Sequence, residues 1–164
     1  MLFMGQEFLE DKYWSDSPNF FKDSLIWWDG LASDKAMQDH LRFVRELIQV
    51  RTRYRALSGD RINVFHVNND NRVLASHRWL DGQGEDLVVV ASLREETWWS
   101  YQLGFPVAGS WLEVFNSDLY DGWVNPMVAG NGGRIDANGP PLHGFPASAA
   151  IVIPANGLVV FAKQ

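Results

Sequence analysis

Residues 1–8, MLFMGQEF, decide how the rest of the chain is read. Four large apolar residues run up to Gly5. An amide and a carboxylate, Gln6 and Glu7, follow before Phe8. An apolar run that ends in Gly and then polar groups predicts a buried parallel strand whose carboxyl end delivers side chains to a cleft. Gln6 and Glu7 are the first candidate binding residues on this reading.

Outward from that stretch, residues 9–33 form a long irregular segment, LEDKYWSDSPNFFKDSLIWWDGLAS, with Pro18, Gly30 and several Asp and Ser. It is rich in aromatics, among them Trp14, Trp27 and Trp28. A loop of this length inside a compact domain is uncommon and is usually functional. The three Trp therefore join the candidate list as a sugar-stacking platform, against the commoner role of packing over their own helix. Ser33 or Asp34 is a suitable N-cap. Met37, Leu41, Val44 and Ile48 then recur at helical spacing, widened by Leu47 and Tyr54, and Ser58-Gly59 supplies a stop. The pattern predicts one amphipathic helix over 34–54.

Beyond Gly59 the period changes from helical to alternating. Residues 62–67 and 72–80 are strand-forming runs around Asn68-Asn69-Asp70-Asn71, residues that tolerate the left-handed backbone of a tight turn. Residues 81–85 form a second turn, and 87–93 are apolar but for Ser92, as suits a strand covered on both faces. Runs at 98–103, 111–116, 149–153 and 158–162 complete the set, with a Gly/Asn-rich excursion over 118–141. Short strands punctuated at such intervals predict a mainly β fold, an antiparallel sandwich. Trp98 and Trp99 are adjacent on a strand and must point to opposite faces, one toward the core.

Leu2-Phe3-Met4-Gly5-Gln6-Glu7-Phe8 resembles a segment of the α-amylase superfamily, glycoside hydrolase family 13, and most closely the family of 1,4-α-glucan branching enzymes. The resemblance continues in order through Asn71-Arg72-Val73 with His77-Arg78-Trp79, Leu87-Val88-Val89-Val90, Glu113 to Asp118, and His143-Gly144. It implies that residues 1–57 are the last strand, rim loop and last helix of a (β/α)8 barrel. Residues 58–164 would then be the all-β C-terminal sandwich domain. A whole barrel takes roughly 250 residues, more than this chain has.

The resemblance also says what chemistry to look for. Branching enzymes cleave an α-1,4 bond with retention and pass the glucan segment to a 6-hydroxyl. That requires a nucleophilic carboxylate and a carboxylic acid roughly 5–5.5 Å apart. The family's three catalytic acids follow barrel strands four, five and seven, and no residue here matches them. No catalytic residue is assigned, and the isolated chain is expected to be inactive. Gln6, Glu7, Trp14, Trp27 and Trp28 remain as carbohydrate-binding candidates. The alternatives are a stand-alone glucan-binding or structural sandwich module, and the C-terminal part of another glucan hydrolase of the same superfamily.

Other classes find little support. Net charge is −6 with scattered Lys and Arg, so the electrostatic footprint of nucleic-acid binding is missing. No apolar run approaches the ~20 residues of a membrane span. There is no Cys, which removes disulfides and thiolate metal sites and suits a cytoplasmic protein. The four His show no ligand spacing and are read as structural, and Asp118 with Asp121 is too few acids for calcium. No metal and no cofactor are expected. The partner implied by the resemblance is an α-glucan. The apolar opening strand further predicts self-association through residues 1–57.

Overall fold

The longest helix starts where a side chain can take its first free amides. Asp34 Oδ1 accepts the N–H groups of Ala36 (2.8 Å) and Met37 (3.2 Å), and α2 runs from Lys35–Arg53. This is the N-cap and helix that the apolar spacing predicts. A short turn of helix, α1, Gly30–Ser33, precedes it inside what the sequence suggests is irregular. The computed structural model describes residues 4–11, 25–119 and 128–164. The chain separates into two compact units, Met1–Ile48 and Gln49–Gln164.

In the first unit, the expected opening strand lies mostly outside the described residues. Met4 and Gly5 form a turn with Gly5 at φ 87, and Gln6–Phe8 make one 3-10 turn. Gly5 is needed for that left-handed backbone, and a Cβ there would also sit 2.4 Å from Glu10 Cβ. Along α2, Met37 is buried, whereas Leu47 and Ile48 are exposed.

Among the described residues the second unit holds eight strands: β1 Ile62–Asn68, β2 Val73–Leu80, β3 Glu85–Ser92, β4 Trp98–Phe105, β5 Gly109–Asn116, β6 Arg134–Ala137, β7 Ala147–Ile153 and β8 Leu158–Lys163. One sheet has the order β1-β2-β3-β8-β5-β6, and the other is the pair β4-β7. Every pairing is antiparallel. The mainly β, antiparallel reading therefore holds. β6 is the strand that the sequence pattern misses, because its four residues sit inside the Gly/Asn-rich excursion and carry no long alternating run.

Alternation along the strands builds the core. Val73 and Ala75 from β2, Val88 and Val90 from β3, and Val159 and Phe161 from β8 meet Tyr101, Leu103 and Phe105 of β4 and Ile151 and Ile153 of β7. Trp111 of β5 is fully buried, with Nε1 donating to the Val107 carbonyl at 3.0 Å and its ring 5.1 Å from Phe105. Deleting a ring of this kind costs about 3–5 kcal/mol. β3 is covered on its outer side too, since Leu87 is also fully buried. The 3-10 turn Arg55–Leu57 packs against β2 and β3 there. Arg78 fastens it by donating to the carbonyls of Ala56 (3.2 Å), Leu57 (3.3 Å) and Gly59 (2.6 Å).

Candidate functional site

Four of the five carbohydrate candidates are described, all within the first unit; Trp14 lies outside the described residues. Gln6 is exposed and Glu7 half-buried on the 3-10 turn after Gly5. Trp27 donates its backbone N–H to Glu10 Oε2 at 2.8 Å, which ties the approach to α1 back to the opening turn. Its ring lies over Gly30, where an added Cβ would come 2.7 Å from Trp27 Cε3 and 2.5 Å from Met37 Sδ. Trp28 packs on buried Phe8, ring centroids 5.4 Å apart. Trp27 thus rests on its own helix start and Trp28 on the opening turn, while they remain 53% and 62% exposed. The open faces of the two indoles are free to stack, the ordinary mode by which aromatic side chains meet flat apolar surfaces.

In the second unit the buried polar groups cluster at two places. The first joins the sheets. Glu113 accepts from Asn116 Nδ2 (3.0 Å), Asn131 N (3.0 Å) and Asn131 Nδ2 (2.9 Å). Asn131 then pairs with the backbone of Val152 on β7 like an added strand residue: Nδ2 donates to its carbonyl at 3.0 Å, and Oδ1 accepts its N–H at 2.8 Å. Asp118 is buried, and its Oδ2 accepts the Ala129 N–H at 2.8 Å. That bond ties Ala129 to the residues that follow β5, and Asp121 lies outside the described residues. The side-chain bonds of Glu113 in this network orient the amides of Asn116 and Asn131, which in turn hold backbone of Ala129 and Val152.

The second place is a histidine–aromatic cluster. His77 is buried, bonds Asp86 through Nε2 at 2.6 Å and stacks on Trp79 with centroids 4.7 Å apart. Trp79 Nε1 donates to Asp81 at 2.9 Å and Arg61 bonds the other oxygen at 2.8 Å; these two hydrogen bonds, the indole's first, hold the Asp81 carboxyl below its usual range. His66 bonds the Tyr101 hydroxyl through Nε2 at 2.7 Å and stacks on His143, centroids 4.0 Å apart and rings 20° from parallel. Burial pushes both of these imidazoles below the ordinary value of 6.5, and the neighbouring His143 lowers His66 further. His66 and His77 do not face each other across the hairpin, in keeping with the turn's position, since His66 pairs with Ala75. The contact of His66 with His143 is one that spacing does not signal, because the two meet across the sandwich. Among the described residues no group of three or more His, Asp or Glu is arranged to hold a metal ion.

Trp98 and Trp99 divide as alternation demands. Trp98 packs against the core with the Arg94 guanidinium 4.8 Å above its ring, and Trp99 is 62% exposed.

This architecture has known relatives. The family model "Alpha amylase, C-terminal all-beta domain" matches residues 65–164, and the chain belongs to that family. The 1,4-alpha-glucan branching enzyme GlgB of Mycobacterium sp. (strain KMS) is 32% identical over 160 residues, covering 94% of this chain and 20% of the relative. The enzyme of the same name from Dechloromonas aromatica (strain RCB) is 30% identical over 165 residues, covering 100% of this chain and 26% of its own length. The chain thus spans about a fifth to a quarter of the curated relatives it matches. Among solved structures, AmyP in complex with maltose superposes with a TM-score of 0.57 at 16% identity, over 85% of this chain and 24% of that one. At such identity the likeness is one of fold.

Proposed function

We propose that this chain acts as the C-terminal part of a 1,4-α-glucan branching enzyme, which transfers α-1,4-glucan segments to a 6-hydroxyl. The observation that carries the reading is the run of similarity to branching enzymes over 94–100% of the chain. Residues 1–57 would then complete a (β/α)8 barrel, and 58–164 would stabilise it from a sandwich whose buried polar network ties its two sheets together. The partner is an α-glucan, met through the whole enzyme, with Gln6, Glu7, Trp14, Trp27 and Trp28 near the glucan path. The setting is cytoplasmic. The test is a chimera in which this chain replaces the matching region of the Mycobacterium relative. Branching of amylose by the chimera, with none by the chain alone, is the expected pair of results. A folded chimera without activity, or new α-1,6 linkages from the purified chain alone, would overturn the proposal.

A second reading is favoured by the half-exposed Trp27 and Trp28. A glucan-binding module needs such indoles and no catalytic acids. Retardation of the chain in gels cast with glycogen, lost in W27A/W28A, would support it.

A further inference from the structure

Between β6 and β7 the chain makes a tight finger. Leu142 and Phe145 exchange backbone bonds at 3.0 and 2.9 Å, and the two residues between them, His143 (φ 53) and Gly144 (φ 80), are both left-handed. That is the backbone of a two-residue hairpin tip. The tip is seated by side chains rather than by strand pairing. His143 stacks on His66 of β1, and its Nδ1 accepts the Gly104 N–H of β4 at 3.3 Å. Phe145 lies 4.6 Å from Phe65 and edge-on to His77 at 5.7 Å. Gly104 leaves room for nothing more, since a Cβ there would fall 2.2 Å from the Leu142 carbonyl oxygen.

We propose that the Leu142–Phe145 tip is an acid-released clasp, docked while His143 is neutral and freed when its ring takes a proton. The chemistry at Nδ1 requires this. A nitrogen that accepts an N–H must be unprotonated, so the ring's one proton sits on Nε2. A second proton turns Nδ1 into a donor facing the Gly104 donor, and the bond becomes a clash. The ring would also carry its charge within stacking distance of His66, and a proton on both rings would add like-charge repulsion.

No compensating group is at hand. The titratable group that contacts the pair is Tyr101 on β4, bonded to His66, while His77 on β2 meets the tip only at the Phe145 ring. Of the two carboxylates in this cluster, Asp86 on β3 is taken by His77 and Asp81 by Trp79 and Arg61. Among the described residues no carboxylate pairs with His66 or His143. The lowered basicity of both rings agrees in sign. A group whose folded value is depressed stabilises the docked state fully above its unfolded value. That contribution is lost as pH falls through the folded one. The clasp is therefore closed above 6.5, the ordinary value, and opens on acidification. Release uncovers the Phe65 ring.

Hydrogen exchange of the whole chain reads this directly, at about pH 7 and about pH 5, after correction for the intrinsic rate. The Gly104 and Phe145 amides should lose protection about tenfold for each pH unit over which release is coupled to one proton. The β3 amides should not change. In H143N, Asn tolerates the left-handed backbone and offers Oδ1 in place of Nδ1, so protection should persist at both pH values. Equal native protection at both values, or the same acid loss in H143N, would overturn the proposal. Should H143N fail to fold, the native ring decides by nitrogen NMR. His143 titrating in step with Gly104 opening supports the clasp, and titration while Gly104 stays protected refutes it.

Discussion

Asn131 is the side chain whose replacement tests the sandwich most sharply, because one amide closes three bonds between the sheets. Its Nδ2 donates to Glu113 (2.9 Å) and to the Val152 carbonyl (3.0 Å), and its Oδ1 accepts the Val152 N–H (2.8 Å). A neutral bond contributes about 1 kcal/mol net and one to a carboxylate about 1.5–3 kcal/mol. Asn131, Glu113 and Val152 are all half-buried, so water replaces part of what is lost. N131A should therefore cost about 2–4 kcal/mol. N131D keeps the size and the Val152 N–H bond, yet turns both donations into contacts between acceptors and sets a second carboxylate against Glu113. At an effective dielectric of about 20, two charges 4 Å apart repel by about 4 kcal/mol, and relaxation leaves about 1–2 of this. N131D should thus be less stable than N131A at pH 7. The like-charged pair raises both carboxyl values in the folded state, so the folded chain binds protons more readily and the difference should shrink as pH falls toward about 4.5. Urea titrations with unchanged m-values give the comparison. If N131D equals or exceeds N131A at neutral pH, or if their gap ignores pH, the amide is not the bridge described.

Further outcomes follow from single contacts. G104A drives a Cβ to 2.2 Å from the Leu142 carbonyl oxygen, and thermal unfolding should report a loss of about 1–3 kcal/mol from overpacking. R78M removes the donors to Ala56, Leu57 and Gly59, so limited proteolysis should cut within 55–59 faster than in the native chain, while β3 amides remain protected in exchange. Light scattering on the 164-residue chain should give a mass above its 18.6 kDa monomer, and polar replacements L47E/I48E on exposed α2 positions should lower it. A monomer of 18.6 kDa for the native chain would remove the case for self-association through residues 1–57.

The parts of the fold that were legible are those in which neighbours in sequence carry the physics. The helix is announced by Asp34 and by Met37, Leu41 and Val44 at one face, and its observed ends differ from the expected 34–54 by a residue at each side. The β1–β2 turn is announced by four consecutive Asn and Asp, and Arg72 completes it with φ 53. The doubly covered strand is announced by an apolar run interrupted only at Ser92, and Leu87, Val88 and Val90 are indeed fully buried. In each case the pattern repeats within one element, so periodicity reads it.

What escaped depends on partners far apart in the chain. β6 has four residues and exists because Trp111 and Leu112 of β5 offer an edge to Ile135 and Arg134, a register that no local period encodes. Asn131 reads as one polar residue of a glycine-rich loop until Val152 and Glu113 stand beside it. His143 likewise carries only a turn signal, through Gly144. Its acceptor role comes from Gly104, which must lack a side chain for the tip to come so close. A small residue on one strand thus creates the space, and a histidine in a distant loop uses it; neither makes the contact alone. Residues whose chemistry lies in such pairs look ordinary singly, and the sequence marks them only by what they omit, here a Cβ at Gly104.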